Sequence, residues 1–149
     1  MSQTIEFYRT GDAYGCFSNF SAHKVVIGAT WPTVEHYFQA QKFLDDELRK
    51  KIMTEPSPMV AARMGRNRAW PLRPDWRRIK DAIMRDGVRA KVAQHHDVRE
   101  TLLGTGEALI VEHTRNDSYW GDGGDGSGKN MLGRILMEVR AELARNAPL

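Results

Sequence analysis

The sequence contains one cysteine, Cys16, among its 149 residues. A single thiol forms no intrachain disulfide and cannot build a zinc cluster, so we expect a protein of a reducing, cytoplasmic compartment. Apolar runs also stay well short of the roughly 18 residues of a membrane helix. The N-terminus lacks the basic and apolar segments of a signal peptide, so we expect no leader and no membrane partner.

Metal-binding patterns are scarce as well. None of the five histidines forms a His-Glu-x-x-His pair, so we expect no metal and no cofactor. Asp117, Asp122 and Asp125 lie close together in the sequence, but their spacing is not that of a calcium-binding EF-hand and the terminal glutamate is missing. Cys16 has no nearby histidine that would favour a nucleophilic thiolate.

The composition is that of an ordinary globular protein, with 41% hydrophobic and 28% charged residues and a net charge of +3. We find no repeat, low-complexity tract or linker, and we expect one domain over residues 1–149. Eight arginines fall between Arg63 and Arg89. Solvated helix faces explain such a cluster most simply. A patch for a phosphorylated substrate or for nucleic acid is the alternative, and a structural DNA-binding domain would also fit it.

The sequence pattern predicts an α+β fold in which helix predominates. A few short strands are expected near the N-terminus and before a glycine-rich loop, at residues 4–8, 23–27 and 108–112, with a bend before Thr30-Trp31 and strand or loop at 17–20. Helices are expected at residues 34–44, 47–53, 58–65, 74–94, 97–103 and 130–145. The predicted inner stripe of the 74–94 helix is Trp76, Ile79, Ile83, Ala90 and Met84.

The most informative segment is 31–43, Trp-Pro-Thr-Val-Glu-His-Tyr-Phe-Gln-Ala-Gln-Lys-Phe. Thr33 is a suitable N-cap, and at about 100° per residue Glu35, Gln39 and Lys42 share one stripe of the helix. Aromatic rings border this stripe, and a helix with rings nearly all round is usually buried. A buried glutamate and lysine must be paired or functional, which makes Glu35 the first candidate for catalysis. The opposite face carries Val34, Tyr37, Ala40 and Leu44.

A second unusual segment has five glycines among residues 121–128. Such a loop exposes backbone N–H groups, and it leads into the N-terminus of the last predicted helix, which favours anions. We therefore predict a phosphate or diphosphate site here; a flexible surface loop is the alternative. Trp120 lies beside Asp117 in the sequence, and such a pair suits stacking on a base or sugar.

Three segments in this order resemble the YbiA-like, or NADAR, domain family. They are Phe17-Ser18-Asn19-Phe20, residues 31–43, and Asp117-x-x-Trp120-Gly121 through Gly128-x-Asn130-x-Leu132-Gly133. The similarity continues in Pro74-x-Trp76, Met84, Lys91 and Leu136-Met137-x-x-Arg140, and it covers nearly the whole chain. Val34 departs from the pattern, because many relatives carry serine before the glutamate. This departure should affect the helix start more than the chemistry.

The resemblance implies a single compact domain and an N-glycosidase. Members of the family cleave the ribosyl–amine bond of early riboflavin-pathway intermediates, releasing ribose 5-phosphate, whereas other branches remove ADP-ribose from guanine in nucleic acid. The family's acidic residue corresponds to Glu35, its Asp and Trp to Asp117 and Trp120, and its Asn and Lys to Asn19 and Lys42. The implied catalytic residues are Glu35, Asp117 and Lys42. The implied substrate-binding residues are Ser18, Asn19, Phe20, Trp31, Gln39, Trp120, Gly121, Gly126, Gly128 and Asn130.

The roles and the partner leave alternatives. Lys42 holds Glu35 ionised, contacts the phosphate, or attacks an opened ribose as a Schiff base. The short chain and modest charge favour a small phosphorylated ribosyl substrate over ADP-ribosylated nucleic acid. A module that binds ADP-ribose or NAD-like ligands without cleaving them is a further alternative, and no oligomeric state is predicted. We expect Glu35 to lie within a few ångströms of Asp117 or Trp120.

Overall fold

The computed structural model describes residues 3–146, and the chain divides into two compact units. The terminal unit combines residues 3–18 with 95–146, and the central unit spans residues 19–94. The predicted α+β class, with helix in the majority, is confirmed. Within residues 3–146, no helix has the length and apolarity needed to cross a membrane. The elements are β1 (Thr4–Phe7), β2 (Val25–Ile27), β3 (Ala29–Trp31), α1 (Val34–Ala40), α2 (Asp46–Met53), α3 (Pro58–Gly65), α4 (Trp76–Gln94), α5 (His96–Gly104), β4 (Leu109–Glu112) and α6 (Met131–Asn146).

The terminal unit is built on a parallel pair of short strands. β1 pairs with β4 in the register Thr4↔Leu109 to Phe7↔Glu112. The α6 helix packs against β4, and this approach requires Gly133, because a Cβ there would lie 2.1 Å from the carbonyl oxygen of Ile110. The core of the unit is formed by buried side chains of both strands and of α6, among them Ile5, Phe7, Ile110, Leu132 and Ile135.

The central unit is organised around α1. The antiparallel hairpin of β2 and β3 turns at Gly28, whose φ of +70° favours glycine. The α2, α3 and α4 helices all pack against α1, and every residue of α1 is buried. The prediction that this helix is buried is therefore confirmed.

The inner face of α4 differs from the predicted stripe. Its buried residues are Trp76, Met84, Gly87, Val88, Lys91 and Val92, whereas Ile79, Ile83 and Ala90 are only partly buried. The reason is the packing against α1: a Cβ at Gly87 would lie 3.0 Å from Val34 and 3.3 Å from Tyr37. The smallest residue of α4, Gly87, thus faces α1. The predicted stripe differs because it assumed that the large apolar residues make this contact.

Other boundaries differ by a few residues, and each difference has a local cause. The first helix ends at Ala40 rather than at residue 44, because the N–H groups of Lys42 and Phe43 bond three residues back, as in a 3-10 turn. Leu44, predicted on the buried face, lies beyond the helix and is 61% exposed. Residues 17–20 hold the end of a 3-10 turn and a bend rather than a strand. The fifth helix is capped by His95, so Asp97 lies in its first turn.

Candidate active site

The predicted polar stripe of α1 is present and buried. Glu35 is 9% exposed and Gln39 7% exposed. The amide nitrogen Nε2 of Gln39 donates a 2.8 Å hydrogen bond to Oε1 of Glu35. Burial of a carboxylate costs several kcal/mol unless hydrogen bonds or opposite charges offset it, and Gln39 supplies one such bond. The stripe therefore places a held carboxylate inside the central unit.

Lys42 completes this stripe from the turn that follows α1. Its ammonium Nζ donates to the carbonyl of Gly65 over 3.3 Å and lies 6.0 Å from the ring centroid of Phe38. Burial lowers the pKa of Lys42, the Glu35 carboxylate partly restores it, and the nearby cations Arg66 and Lys80 lower it further. Lys42 therefore brings a positive charge into the surroundings of the Glu35 carboxylate.

Two residues beside the stripe fix the start of α1. The Thr33 hydroxyl accepts the His36 N–H over 3.2 Å, which confirms Thr33 as the N-cap. The fully buried His36 ring bonds to Thr33 at Nδ1 over 2.8 Å and to the carbonyl of Glu55 at Nε2 over 2.6 Å. Burial lowers the pKa of His36, and the bond to the Glu55 carbonyl offsets this only in part. A neutral ring donating from Nε2 therefore ties α1 to the chain before α3.

Asn19 lies next to Glu35 in the central unit. Its carbonyl accepts the backbone N–H of Glu35 over 3.1 Å, which satisfies one of the unpaired donors at the start of α1. Its side-chain Nδ2 points to the sulfur of Met84 at 3.3 Å. Phe20 follows at the surface of this unit, half-buried, while the buried Ser18 ends the first segment of the terminal unit. Asn19 thus positions the backbone that carries Glu35.

Trp31 lies away from this stripe. Its indole nitrogen donates to the carbonyl of Ile27 over 3.1 Å, and its ring packs edge-on against Tyr37 with centroids 6.0 Å apart. Tyr37 lies on the opposite side of α1 from Glu35, two residues along the helix. Burial raises the pKa of Tyr37 to about 12. Within the central unit, the structure groups Asn19, Gln39 and Lys42 with Glu35 but does not group Trp31 with them.

In the terminal unit, Asp117 forms a turn that presents Trp120. Oδ1 of Asp117 accepts the N–H groups of Tyr119 over 2.9 Å and of Trp120 over 2.8 Å. The half-buried Trp120 ring meets the Tyr119 ring edge-on, with centroids 4.9 Å apart. Asp117 therefore has one oxygen committed to holding the tryptophan in place.

The glycine-rich loop is an ordered structure centred on Asp122. The Asp122 carboxylate accepts the N–H groups of Thr114 over 3.0 Å and Gly124 over 2.8 Å, and it bonds to Nδ1 of His113 at 2.7 Å. Burial raises the pKa of Asp122, but these hydrogen bonds outweigh it and the net pKa is lowered. The sequence offers Asp122 only as a possible calcium ligand. The loop bonds of the structure identify it as the organising residue.

Close packing explains two of the predicted glycines. A Cβ at Gly121 would lie 2.8 Å from Thr114, and one at Gly128 would lie 2.5 Å from the backbone of Asp122. Gly126 has a φ of +87° and open space around it. Gly121 and Gly128 therefore shape the loop through contacts with its own chain, and only Gly126 presents an uncrowded backbone.

Two backbone donors at the start of α6 are used within the protein. The N–H of Met131 donates to the carbonyl of Tyr119 over 3.0 Å, and that of Leu132 donates to Trp120 over 3.1 Å. These two donors are therefore already satisfied by carbonyl groups of the preceding turn. Met131 and Leu132 therefore bind within the loop, and phosphate binding by residues 126–130 stays a prediction.

Asn130 has a similar internal role. Its Nδ2 donates to the carbonyl of Ile110 and its Oδ1 accepts the N–H of Glu112, both over 2.9 Å. Its φ of +52° is uncommon for a residue other than glycine. Both ends of the amide thus bind the edge of β4, and direct contact of Asn130 with substrate stays a prediction.

Among residues 3–146, one group of possible metal ligands lies wholly within the terminal unit: Glu6, His113 and Asp122, with ligand atoms within 4.8 Å of one another. Nδ1 of His113 lies 2.7 Å from Asp122 and 3.3 Å from Glu6. His113 thus bonds to Asp122 and faces Glu6 through the same nitrogen, and the pKa of His113 is raised chiefly through the bond to Asp122.

A model of the NADAR domain family matches residues 6–144 of this sequence. The chain belongs to the NADAR family. One NADAR relative, the N-glycosidase YbiA of Shigella flexneri serotype 5b, is 59% identical over 141 residues, which cover 94% of this chain and 88% of that protein. A riboflavin biosynthesis protein of Vibrio vulnificus is 42% identical over 149 residues, covering 99% of this chain and 41% of that protein.

The fold agrees with an experimental structure. The NMR structure of the Escherichia coli protein YbiA is similar with a TM-score of 0.89 and 58% sequence identity, covering 97% of this chain and 88% of that one. The relatives that are 59% identical are named N-glycosidases, and this NADAR protein belongs to the same enzyme class. The predicted family and enzyme class are therefore confirmed.

Proposed function

We propose that the protein hydrolyses the C1′–N ribosyl bond of a phosphoribosylamino-pyrimidine and releases ribose 5-phosphate. The observation that carries this proposal is the Glu35 carboxylate, which is 9% exposed, accepts a hydrogen bond from Gln39 and interacts with the charge of Lys42. A carboxylate kept ionised in a buried position suits the stabilisation of positive charge. The relatives' names, N-glycosidase and riboflavin biosynthesis protein, support the type of bond and the class of substrate.

The reaction places positive charge on the sugar. As the C1′–N bond breaks, its electron pair goes to nitrogen, and C1′ with the ring oxygen becomes oxocarbenium-like. The Glu35 carboxylate stabilises this charge and accepts a proton from the attacking water. The water oxygen forms the new bond to C1′, and the departing nitrogen gains a proton. One water is consumed, and the products are ribose 5-phosphate and the amine.

The side-chain oxygen of Gln39 also supports the proposal. Its Oε1 is buried and has no hydrogen-bond partner within residues 3–146. Buried acceptors are nearly always satisfied in folded proteins, so an unsatisfied one beside a carboxylate suits a ligand donor. We assign Oε1 of Gln39 to a ribose hydroxyl, while Nε2 of the same amide orients Glu35.

Lys42 and the terminal-unit residues have supporting roles in this proposal. Lys42 keeps Glu35 ionised. Asp117 orients a ribose hydroxyl through Oδ2, since its Oδ1 is committed to the turn. Trp120 stacks on the base or covers the sugar, as a ring held at a loop surface can do.

The test is a comparison of two substrates under identical conditions. Purified protein is incubated with a phosphoribosylamino-pyrimidine and, separately, with DNA carrying ADP-ribosylated guanine. The expected result is ribose 5-phosphate in many-fold molar excess over enzyme from the first substrate and a slower reaction with the second. Faster turnover of the DNA would assign the ADP-ribosyl activity instead. Retention of either ligand intact, at one per protein, would identify a binding module and contradict the proposal.

A further inference from the structure

The central unit contains a cavity of about 410 Å³ where α1 ends. Three pieces of chain form its walls: Lys42 and Phe43 after α1, the loop between α3 and α4, and the first residue of α4. This volume lies within the range of small-molecule sites, which is about 300–1,000 Å³. The cavity is thus large enough for a phosphorylated sugar fragment.

The lining of this cavity is cationic. Lys42, Arg66 and Arg68 all line it, and no carboxylate is among its lining residues. Within residues 3–146, neither guanidinium has an ion-pair partner. Arg73 on the same loop behaves differently, since its Nε lies 2.7 Å from Asp75. The loop therefore uses one arginine for its own structure and leaves two facing the cavity.

The loop that carries these arginines is held by its own hydrogen bonds. The side-chain oxygen of Asn67 accepts the N–H of Ala69 over 3.0 Å, and the backbone carbonyl of Asn67 accepts the N–H of Trp70 over 3.1 Å. The N–H of Arg73 donates to the carbonyl of Lys42 over 2.9 Å. The Trp70 ring packs edge-on against Phe43, with centroids 5.3 Å apart. The walls are therefore formed without a ligand, which lowers the entropic cost of binding.

We propose that this cavity binds the phosphate of the ribosyl substrate, with Arg66 and Arg68 as its ligands and Lys42 between phosphate and reaction centre. The inference rests on the proposed function. Arginine guanidinium groups suit bidentate binding of phosphate oxygens. The phosphate and C1′ stand at opposite ends of one ribose, so the phosphate site has to lie beside the catalytic carboxylate. Lys42 meets both requirements, because it continues the stripe of Glu35 and Gln39, and its Nζ bonds to the carbonyl of Gly65 on the cavity wall.

The first test measures binding without turnover. We titrate ribose 5-phosphate, ribose and inorganic phosphate separately into ¹⁵N-labelled protein. The chemical shifts of the backbone amides and the tryptophan indoles report binding. We expect ribose 5-phosphate to shift the Arg66–Trp70 segment at concentrations where ribose has no effect, and inorganic phosphate to shift the same signals more weakly. Shifts confined to residues 121–130 would overturn the inference. ADP-ribose is titrated in parallel. If ADP-ribose bound more tightly than ribose 5-phosphate, the assignment of this cavity to a phosphomonoester would be overturned.

The second test separates binding from chemistry. In the double variant Arg66→Gln/Arg68→Gln, loss of charge-assisted hydrogen bonds should raise KM for the phosphorylated substrate about tenfold or more. The kcat should change less than about twofold, because neither side chain has a role in the chemical step. The substrate lacking its phosphate should react equally with both proteins. Lysine at both positions should restore part of the affinity.

Arg77→Gln is the matched control, because it removes an exposed arginine of α4 that does not line the cavity. Its KM should equal that of the unaltered protein. An unchanged KM in the double variant would overturn the phosphate site. If the unaltered protein turns over no ribosyl substrate, the proposed function fails, whereas the titration still reports on phosphate binding by this cavity.

Discussion

The side-chain nitrogen of Gln39 lies 2.8 Å from the carboxylate oxygen of Glu35, one turn earlier on the same buried helix. The contact joins residues i and i+4, so the helix itself fixes their separation. The other amide atom of Gln39 stays without a protein partner within the described residues. One side chain thus orients the proposed catalytic group and leaves an acceptor for the substrate.

Replacing Glu35 with glutamine tests the carboxylate directly. Glu35→Gln keeps the size and an acceptor oxygen for Gln39 but removes the charge that would stabilise the oxocarbenium-like state. We expect kcat to fall at least ~100-fold, the lower range for a general acid–base group, with an unchanged circular dichroism spectrum. Glu47→Gln, on the exposed first turn of α2, is the control and should retain full activity. A folded Glu35→Gln protein with near-normal turnover would remove Glu35 from the chemistry.

Gln39→Met tests the positioning role of Gln39. Methionine fills similar space but donates no hydrogen bond, so ionised Glu35 loses a stabilising donor and its pKa should rise. We expect kcat to fall about tenfold or more, the worth of a hydrogen bond to a charged group, and the acidic limb of the pH–rate profile to move to higher pH. A merely structural role would lower activity without moving that limb. The control is Gln41→Met, whose side chain has no hydrogen bond within residues 3–146.

Gly65 tests how tightly the stripe is packed. A Cβ at this position would lie 1.8 Å from Oε1 and 2.9 Å from Cβ of Gln39. Gly65→Ala should therefore displace Gln39, lowering activity and costing about 1–3 kcal/mol of unfolding free energy, as overpacking usually does. Gly104→Ala is the matched control, because this glycine also ends a helix but has no atom within 4 Å of the added carbon. Denaturant unfolding should show Gly104→Ala as neutral or stabilising.

The bond between His113 and Asp122 predicts a pH dependence of loop stability. The pKa of His113 is raised above 6.5, so its contribution is full below 6.5 and is lost as pH rises through the folded-state value. The pKa of Asp122 is lowered below 3.8, so its contribution is full above 3.8 and is lost as pH falls through the folded-state value. The pair therefore stabilises the loop most in the weakly acidic range between these values.

We expect His113→Gln to lower Tm at pH 5.5 and to lower it much less at pH 9, as measured by thermal unfolding. The neighbouring Glu6 carboxylate faces the same ring and acts in the same direction. His96→Gln is the control, because this exposed histidine has no carboxylate partner within residues 3–146. An equal loss of Tm by His113→Gln at both pH values would contradict a role for the protonated ring.

Start signals in the sequence predicted the helices well. Ser57 and Pro58 located the first turn of α3, and the observed helix, Pro58–Gly65, begins and ends as expected. Thr33 likewise capped α1 as predicted. The end of α1 could not be predicted. After Ala40 the backbone N–H groups bond to carbonyls three residues back instead of four, and the sequence pattern does not show which carbonyl accepts each N–H. The predicted buried face of α4 was wrong, because it is set by the packing of Gly87 against α1, and such a tertiary contact is not visible in the helix's own sequence.

The site was predictable in its residues more than in their roles. The helical spacing of Glu35, Gln39 and Lys42 predicts one shared stripe, and Gln39 bonds to Glu35 in the structure. Their roles in catalysis stay predictions. Asp117 and Asn130 were expected to face a ligand, yet Asp117 binds backbone N–H groups of its own turn and Asn130 binds backbone groups of β4. Aspartate and asparagine favour both roles, so residue type cannot separate them. Arg66 and Arg68 were visible only as members of an arginine cluster, because a cavity wall has no sequence signature.

The pairing of β1 with β4 also has a consequence for how the chain is made. The partners Thr4 and Leu109 are separated by about a hundred residues, whereas the central unit is continuous from residue 19 to 94. Contacts that close so long a loop form slowly, and a chain emerging from the ribosome offers its N-terminal part first. During synthesis α1 can therefore be enclosed by α2, α3 and α4 before β4 is available, so the buried carboxylate is in place before β1 and β4 pair.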